Sequence, residues 1–266
     1  GLTKAGGGLL VLNNVNNTFS GAMAGTDGKI RLDASQIGSS GTSVSGDGII
    51  EIADNTTANQ VLSTGTITLT ATGKIDIKNN KLFTTTAAGN ADINGVYSGV
   101  QGEVQRASNG GAWDAPGLTT SMPDAVTGLT TIGVATGEQI RGLGPTDTDI
   151  FAGQTITGAT TIAMYTYAGD ANLDGFISGD DYSTIDFNVG TGADGYSNGD
   201  FNYDGIVSGD DYSTIDFNYA AQGAPFPTSA SVGGLAGVTA VPEPASLSVI
   251  GLAAAGLLGR RRRRNV

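Results

Sequence analysis

A mainly β chain, built as a solenoid or a sandwich of short strands, is the fold class that the 266-residue sequence predicts, followed by a small α-helical module with EF-hand-type loops and a C-terminal hydrophobic helix. Three observations predict it. A Gly-x-apolar-x-apolar pattern recurs through the first ninety residues, an acidic stretch is written twice within residues 169–218, and an apolar run backed by five arginines closes the chain.

Glycine supplies 43 residues, and charged residues only 14%. β-branched residues are plentiful and net charge per residue is modest, so the composition points to short strands and tight turns rather than to disorder. Cysteine and histidine are both absent. That excludes disulfides, Cys or His metal ligands, and any Ser-His-Asp or Cys-His nucleophile. The formal net charge is −12; no Lys or Arg stands between Gly142 and Gly259, whereas eleven aspartates fall between Asp170 and Asp216. Nucleic acid does not suit such a surface; a cation from outside does. The chain opens at Gly1 with neither an initiator Met nor a signal-peptide pattern, which reads as the C-terminal part of a longer protein or a processed product.

Residues 1–167 form the expected β-rich stalk. The strand pattern appears as GKIRL from Gly28, GIIEI from Gly48, GTITL from Gly65 and GKIDI from Gly73, with GLLVL from Gly8 a looser version. Alternation at a period of two marks half-buried strands, with Gly- or Asn-rich turns between them. Successive starts at offsets of 20, 20 and 17 residues lie at the short end of solenoid repeat lengths. A stacked parallel solenoid is the expectation, and an antiparallel sandwich of the same strands is the alternative. Further on, Ile93, Val96, Val100 and Val104 stand at helical spacing, predicting a short amphipathic helix over residues 91–107 that packs on the solenoid. Trp113, the only Trp, reads as a core anchor rather than a sugar platform. TTIGVAT and TTIAMYTY read as strands, the second delivering the chain into the acidic repeat.

The segment GLTKAGGGLLVLNNVNNTFSG, residues 1–21, resembles the autotransporter-associated β-strand repeat of bacterial passenger domains. ATGKIDIKNNKLF and GGAWDAPGLTTS resemble segments that follow such repeats in large secreted proteins of planctomycetes and their relatives. The resemblance implies a stalk or surface-display role without catalysis.

The acidic stretch reads GDANLDGFISGDDYSTIDFN from Gly169 and GDFNYDGIVSGDDYSTIDFN from Gly199; Ser178–Asn188 and Ser208–Asn218 are identical. Counting from Asp170 as position 1, Asn172 stands at 3, Asp174 at 5, Gly175 at 6, Phe176 at 7, Ser178 at 9 and Asp181 at 12. This is the spacing of an EF-hand calcium loop with Asp in place of the final Glu. Short oxygen side chains at alternate positions wrap one side of the ion, Gly at 6 permits the sharp turn, position 7 offers its carbonyl, and a carboxylate at 12 closes the other side. Asp200, Asn202, Asp204, Gly205, Ile206, Ser208 and Asp211 repeat every slot. Ile177 and Val207 at position 8 are expected to tether each loop to the core. Two Ca²⁺ ions are therefore expected, with folding coupled to their uptake.

A tandem loop with Asp at position 12, each followed by one helix, resembles the type I dockerin. The resemblance implies a pseudo-twofold module, placed here at residues 168–222, that docks onto a cohesin or another surface protein through positions 10 and 11. Those are Gly179 and Asp180 in the first copy and Gly209 and Asp210 in the second. Many dockerins carry hydroxyl residues there and basic ones later; this chain has Gly-Asp and no Lys or Arg in either helix. Tyr182 and Ile185 are expected on one helix face and Asp186 toward solvent.

Residues 223–240 read as a flexible linker, most plainly in SASVGGLAGVTA from Ser229. The apolar run from Ala245 to Gly259 would make about 22 Å of helix, short of the roughly 30 Å hydrocarbon core. Arg260–Arg264 behind it would stay cytoplasmic by the positive-inside bias. The tripartite pattern over residues 241–266 resembles the PEP-CTERM sorting signal, with Val241, Pro242, Glu243 and Pro244 as its motif. That resemblance implies an exosortase partner, transient membrane anchoring through the C-terminal helix, and a final place at the cell surface or outside.

The function expected from all this is a secreted, non-catalytic surface or matrix protein. The alternative is the C-terminal part of a carbohydrate-active enzyme whose dockerin-like module joins it to a scaffold. Glu51, Asp54, Glu103, Asp114 and Glu138 are present, but no spacing marks two of them as a glycosidase pair.

Overall fold

The computed structural model describes residues 1–14, 19–55, 60–70 and 72–228. In chain order the elements are β1 (Leu2–Lys4), β2 (Leu9–Leu12), β3 (Met23–Gly25), β4 (Lys29–Leu32), β5 (Gln36–Val44), β6 (Ile49–Ile52), β7 (Val61–Leu69), β8 (Lys74–Asp76) and β9 (Lys81–Thr84). Then come α1 (Gly99–Ser108), β10 (Gly117–Thr119), α2 (Pro123–Val126), β11 (Thr130–Thr136), α3 (Gly137–Arg141), β12 (Thr148–Phe151), β13 (Gln154–Thr157), β14 (Thr161–Tyr167), α4 (Gly179–Asn188) and α5 (Gly209–Tyr219).

Each early coil of the chain gives one strand to each of two sheets. One sheet runs β1-β3-β5-β7-β9-β14-β11 and the other β10-β8-β6-β4-β2. Every pairing from β1 to β10 is parallel, so the arrangement is a β-solenoid and not an antiparallel sandwich. The alternation of the sequence sets the register. Leu10, Ile30, Ile50, Ile75 and Leu118 stand beside one another across the five-stranded sheet, and the last four are fully buried. Each such side chain contributes about 1.5–3 kcal/mol by leaving water. A slip of one residue would turn Lys29, Arg31 or Glu51 into the core, which fixes the pairing.

The coil spacing differs from the sequence expectation at one place. Partners in the five-stranded sheet are 20, 20 and 25 residues apart (Leu10, Ile30, Ile50, Ile75). GTITL belongs to β7 in the other sheet, so the offset of 17 compares strands of opposite sheets. Burial alternates along β3 in one sheet and along β4 and β6 in the other, and a period of two does not say which sheet a strand joins.

After β9 the direction of pairing changes. β14 lies antiparallel to β9, and β11 antiparallel to β14, which ends the parallel stacking. The excursion between β9 and β10 holds α1. Val100 and Val104 are fully buried as expected, but Ile93 is 100% and Val96 57% exposed, because the helix begins only at Gly99. The Asp92 Oδ1 accepts from the Asn94 and Val96 N–H groups at 2.8 and 3.0 Å, and this side-chain turn competes with helix. Trp113 packs within the apolar core. β12 and β13 form a hairpin whose two turn residues, Ala152 and Gly153, both have positive φ.

Residues Gly1–Ala230 form one compact unit, so the acidic repeat shares a unit with the solenoid. Among the described residues no helix is long and apolar enough to cross a membrane. The expected C-terminal hydrophobic helix, most of the linker and the sorting motif lie outside the described residues.

Candidate metal centres

The strand β14 ends at Tyr167 and hands the chain to the first loop. Thr166 Oγ1 donates to Asp170 Oδ2. Asp170 Oδ1 accepts from the Asp174 N–H at 3.1 Å and its Oδ2 from the Gly175 N–H at 3.0 Å. Asn172 Oδ1 accepts from the Asp174 N–H at 2.9 Å, and Asp174 Oδ1 from the Phe176 N–H at 3.2 Å. Asp181 closes the loop, its Oδ1 taking the Ala171 N–H and its Oδ2 the Ser178 N–H, both at 2.8 Å. Gly175 has φ +100°, and a Cβ there would lie 2.1 Å from the Phe226 carbonyl oxygen, so position 6 admits only glycine.

The second loop repeats the bonding among its own residues. Asp200 accepts from Asp204 and Gly205 at 3.1 and 2.7 Å, Asn202 from Asp204 at 2.8 Å, and Asp204 from Ile206 at 3.0 Å. Asp211 accepts from Phe201 and Ser208 at 2.7 and 2.9 Å. In both copies the position-9 serine caps the following helix in a capping box with the position-12 aspartate. Ile177 and Val207 are buried, as position 8 predicts.

Asp170, Asp181, Asp200 and Asp211 are fully buried. Burial pushes Asp170 up to about 8 and Asp181 and Asp211 up to about 6, and it raises Asp200 as well. None of the ion pairs among the described residues reaches these carboxylates. Each loop offers only oxygen: three carboxylates, an Asn amide, a Ser hydroxyl and a main-chain carbonyl. That is a hard-cation donor set. Among the described residues no three acidic side chains are by themselves gathered into a metal-holding arrangement; their oxygens are instead turned onto the loop's own amides.

The two copies are related as a pseudo-twofold pair. Tyr182 Oη donates to Asp216 Oδ1 at 2.7 Å, and Tyr212 Oη donates to Asp186 Oδ1. Asp186 is solvent-exposed as expected, yet it carries this reciprocal bond. Gly169 faces Ile215 and Ile177, while Gly199 faces Ile185 and Val207. Gly179, Asp180, Gly209 and Asp210 lie exposed in the first turns of α4 and α5. The sequence reading missed Phe187 and Phe217, 80% and 69% exposed on the same helices. It also missed the hydroxyl that each position-1 aspartate takes from outside its loop: Thr166 for Asp170, and Tyr97 for Asp200 at 2.5 Å. Tyr97 lies too far away in sequence for any spacing rule to find it.

Residues 240–264 match the PEP-CTERM protein-sorting motif. No curated protein and no solved structure matches the chain. The motif is the recognition signal of exosortase, and it marks the chain as a secreted protein sorted at the cell envelope.

Proposed function

We propose that this chain is a non-catalytic surface or matrix protein in which a β-solenoid stalk carries a dockerin-like pair of calcium loops ahead of the exosortase signal. One observation carries the calcium reading: the same loop is built twice, each time burying two carboxylates with no basic side chain from residue 143 to residue 258. The ligands are Asp170, Asn172, Asp174, Ser178, Asp181 and the Phe176 carbonyl, then Asp200, Asn202, Asp204, Ser208, Asp211 and the Ile206 carbonyl. Bound calcium would supply the charge that these buried anions lack, drawing their oxygens inward. Glu51 is engaged by Lys29, Glu103 by Arg106 and Asp114 by Asn109, which supports a stalk rather than a glycosidase.

Calorimetry on the full chain tests the reading. Two equivalents of Ca²⁺ should bind, with Mg²⁺ a poor substitute because it dehydrates reluctantly and demands a tight octahedron that a flexible all-protein loop does not supply. Absence of any heat, with a circular dichroism spectrum indifferent to chelator, would sink it. The partner surface is assigned to Gly179 and Asp180 or Gly209 and Asp210. For a partner captured from the same organism's secretome, Asp180→Arg or Asp210→Arg alone should leave binding nearly intact, and the double variant should lose it. Loss in either single variant would mean that the module has one face. The tail is assigned transient anchoring in the membrane before processing.

A further inference from the structure

The acidic repeat is packed against the one strand of the seven-stranded sheet where stacking ends at the C-terminal side. β11 pairs with β14 along one edge, and among the described residues no strand occupies its other edge. An open edge of this kind is a template for further pairing, and solenoids need their terminal coils capped. Here Tyr203 Oη donates to the Ile132 carbonyl oxygen at 2.7 Å. A side chain thus takes a main-chain acceptor that a next strand would use. At the next residue, a Cβ on Gly133 would lie 2.6 Å from both Leu173 and Tyr196. The strand is bare at that point, and both residues lie on it. Tyr196 in turn stacks on Tyr203 with ring centroids 5.6 Å apart.

Leu173 and Tyr203 occupy the same slot, position 4, in the two loops. Both have left-handed backbone, φ +53° and +60°, a conformation that side chains other than glycine adopt only when their surroundings hold it. What holds it is the loop itself: the next residue, Asp174 or Asp204, donates its N–H to the position-1 aspartate. The solenoid grips the second loop in return. Tyr97 Oη donates to Asp200, Gln105 Nε2 to the Tyr203 carbonyl oxygen at 2.8 Å, and Asn218 Nδ2 to the Gly128 and Ala168 carbonyl oxygens at 2.9 Å each.

We propose that the tandem loops are the end cap of the solenoid, and that cation uptake by them controls whether the β11 edge is sealed. The inference rests on the calcium reading above and adds a consequence that a freely tethered docking module would not have. It is tested on the full chain by hydrogen exchange of the 130–136 amides in Ca²⁺ and in EGTA, with calorimetry on the same samples. Calcium should slow exchange of the outward-facing β11 amides at the concentration that fills the loops. Tyr203→Phe, which removes no ligand but frees the Ile132 carbonyl oxygen, should still bind two equivalents yet lose about tenfold of the protection that the outward-facing β11 amides gain in calcium. Two bound equivalents with unchanged exchange across 130–136 would overturn the cap while leaving the calcium loops standing. No calcium uptake at all would overturn the calcium reading and the cap with it.

Discussion

Truncating Asp181 to alanine separates what its carboxylate does for the fold from what it does for an ion. The side chain is fully buried and holds the Ala171 and Ser178 amides at 2.8 Å each. Leaving the buried Ala171 amide without an acceptor costs about 1–3 kcal/mol and the part-buried Ser178 amide less, so Asp181→Ala should destabilise the chain by about 1–4 kcal/mol even in EGTA. In calcium a second loss is added. One occupied site contributes about 2.7 kcal/mol when free calcium is a hundredfold above its Kd, and the variant forfeits that contribution at the first loop. The destabilisation measured in calcium should therefore exceed that in EGTA by about 2.7 kcal/mol at this excess. Asp211→Ala should show the same difference at the second loop. Urea denaturation followed by the fluorescence of Trp113, the single Trp, reads both conditions in one assay. If Asp181→Ala costs the same with and without calcium, its carboxylate is only a loop brace and the ligand assignment is wrong.

Lys81 is buried on β9, and burial lowers its pKa to about 8 from 10.5. The unfolded chain binds a proton that the folded chain does not between those values, so stability should rise as pH rises from 8, by about 1.4 kcal/mol per pH unit; Lys81→Met should flatten this slope in denaturation curves taken between pH 7.5 and 9.5. Ile75→Ala, in the middle of the buried ladder, should cost about 2–5 kcal/mol, whereas Leu10→Ala on β2 at the edge of the same sheet, only partly buried, should cost clearly less; equal losses in urea would contradict the stacking register. Intact mass of protein recovered from its own cell surface should lack Arg260–Arg264, and arginines retained on the mature chain would argue for a permanent anchor instead of exosortase processing.

Much of this structure is legible in the sequence because two periodicities are strict. Alternating Ile and Leu after glycine put β2, β4, β6, β7 and β8 where the pattern predicts strands, and the repeated spacing of short oxygen side chains returns as two loops with the same internal bonding. What stayed hidden depends on distance in the chain. The period of two is the same in both sheets, so the sequence does not tell that GTITL faces the opposite sheet from GIIEI. The Asx turn at Asp92 competes with the helical spacing of Ile93 and Val96, and only the folded chain shows which wins. The hairpin of β12 and β13 turns on Ala152 and Gly153, which lack the Asn-Gly signal of a tight turn with two positive φ values. Tyr97, Tyr196 and Tyr203 read as ordinary aromatics until the fold brings them to Asp200 and β11.

The identity of the two helices has a partial explanation in these contacts. Eleven residues recur unchanged, more than calcium ligation asks for. Ser178 and Ser208 cap their helices, and Asp181 and Asp211 close their loops. Tyr182 and Asp186 answer Asp216 and Tyr212 across the pseudo-twofold, so neither copy can change at these positions without breaking a bond to the other. Ile185 and Ile215 each fill the space beside the glycine that precedes the other loop. The fold thus accounts for the capping, closing and reciprocal positions. Among the described residues it makes no use of the Asp180 and Phe187 side chains or of their counterparts Asp210 and Phe217, which stand exposed on both helices. Asn188 and Asn218 show that the copies are otherwise free to be used differently: the first bonds within its own helix, the second ties its helix to the solenoid. The two-orientation surface proposed above would take in Phe187 beside Asp180 and Phe217 beside Asp210, where packing among the described residues does not explain the repetition.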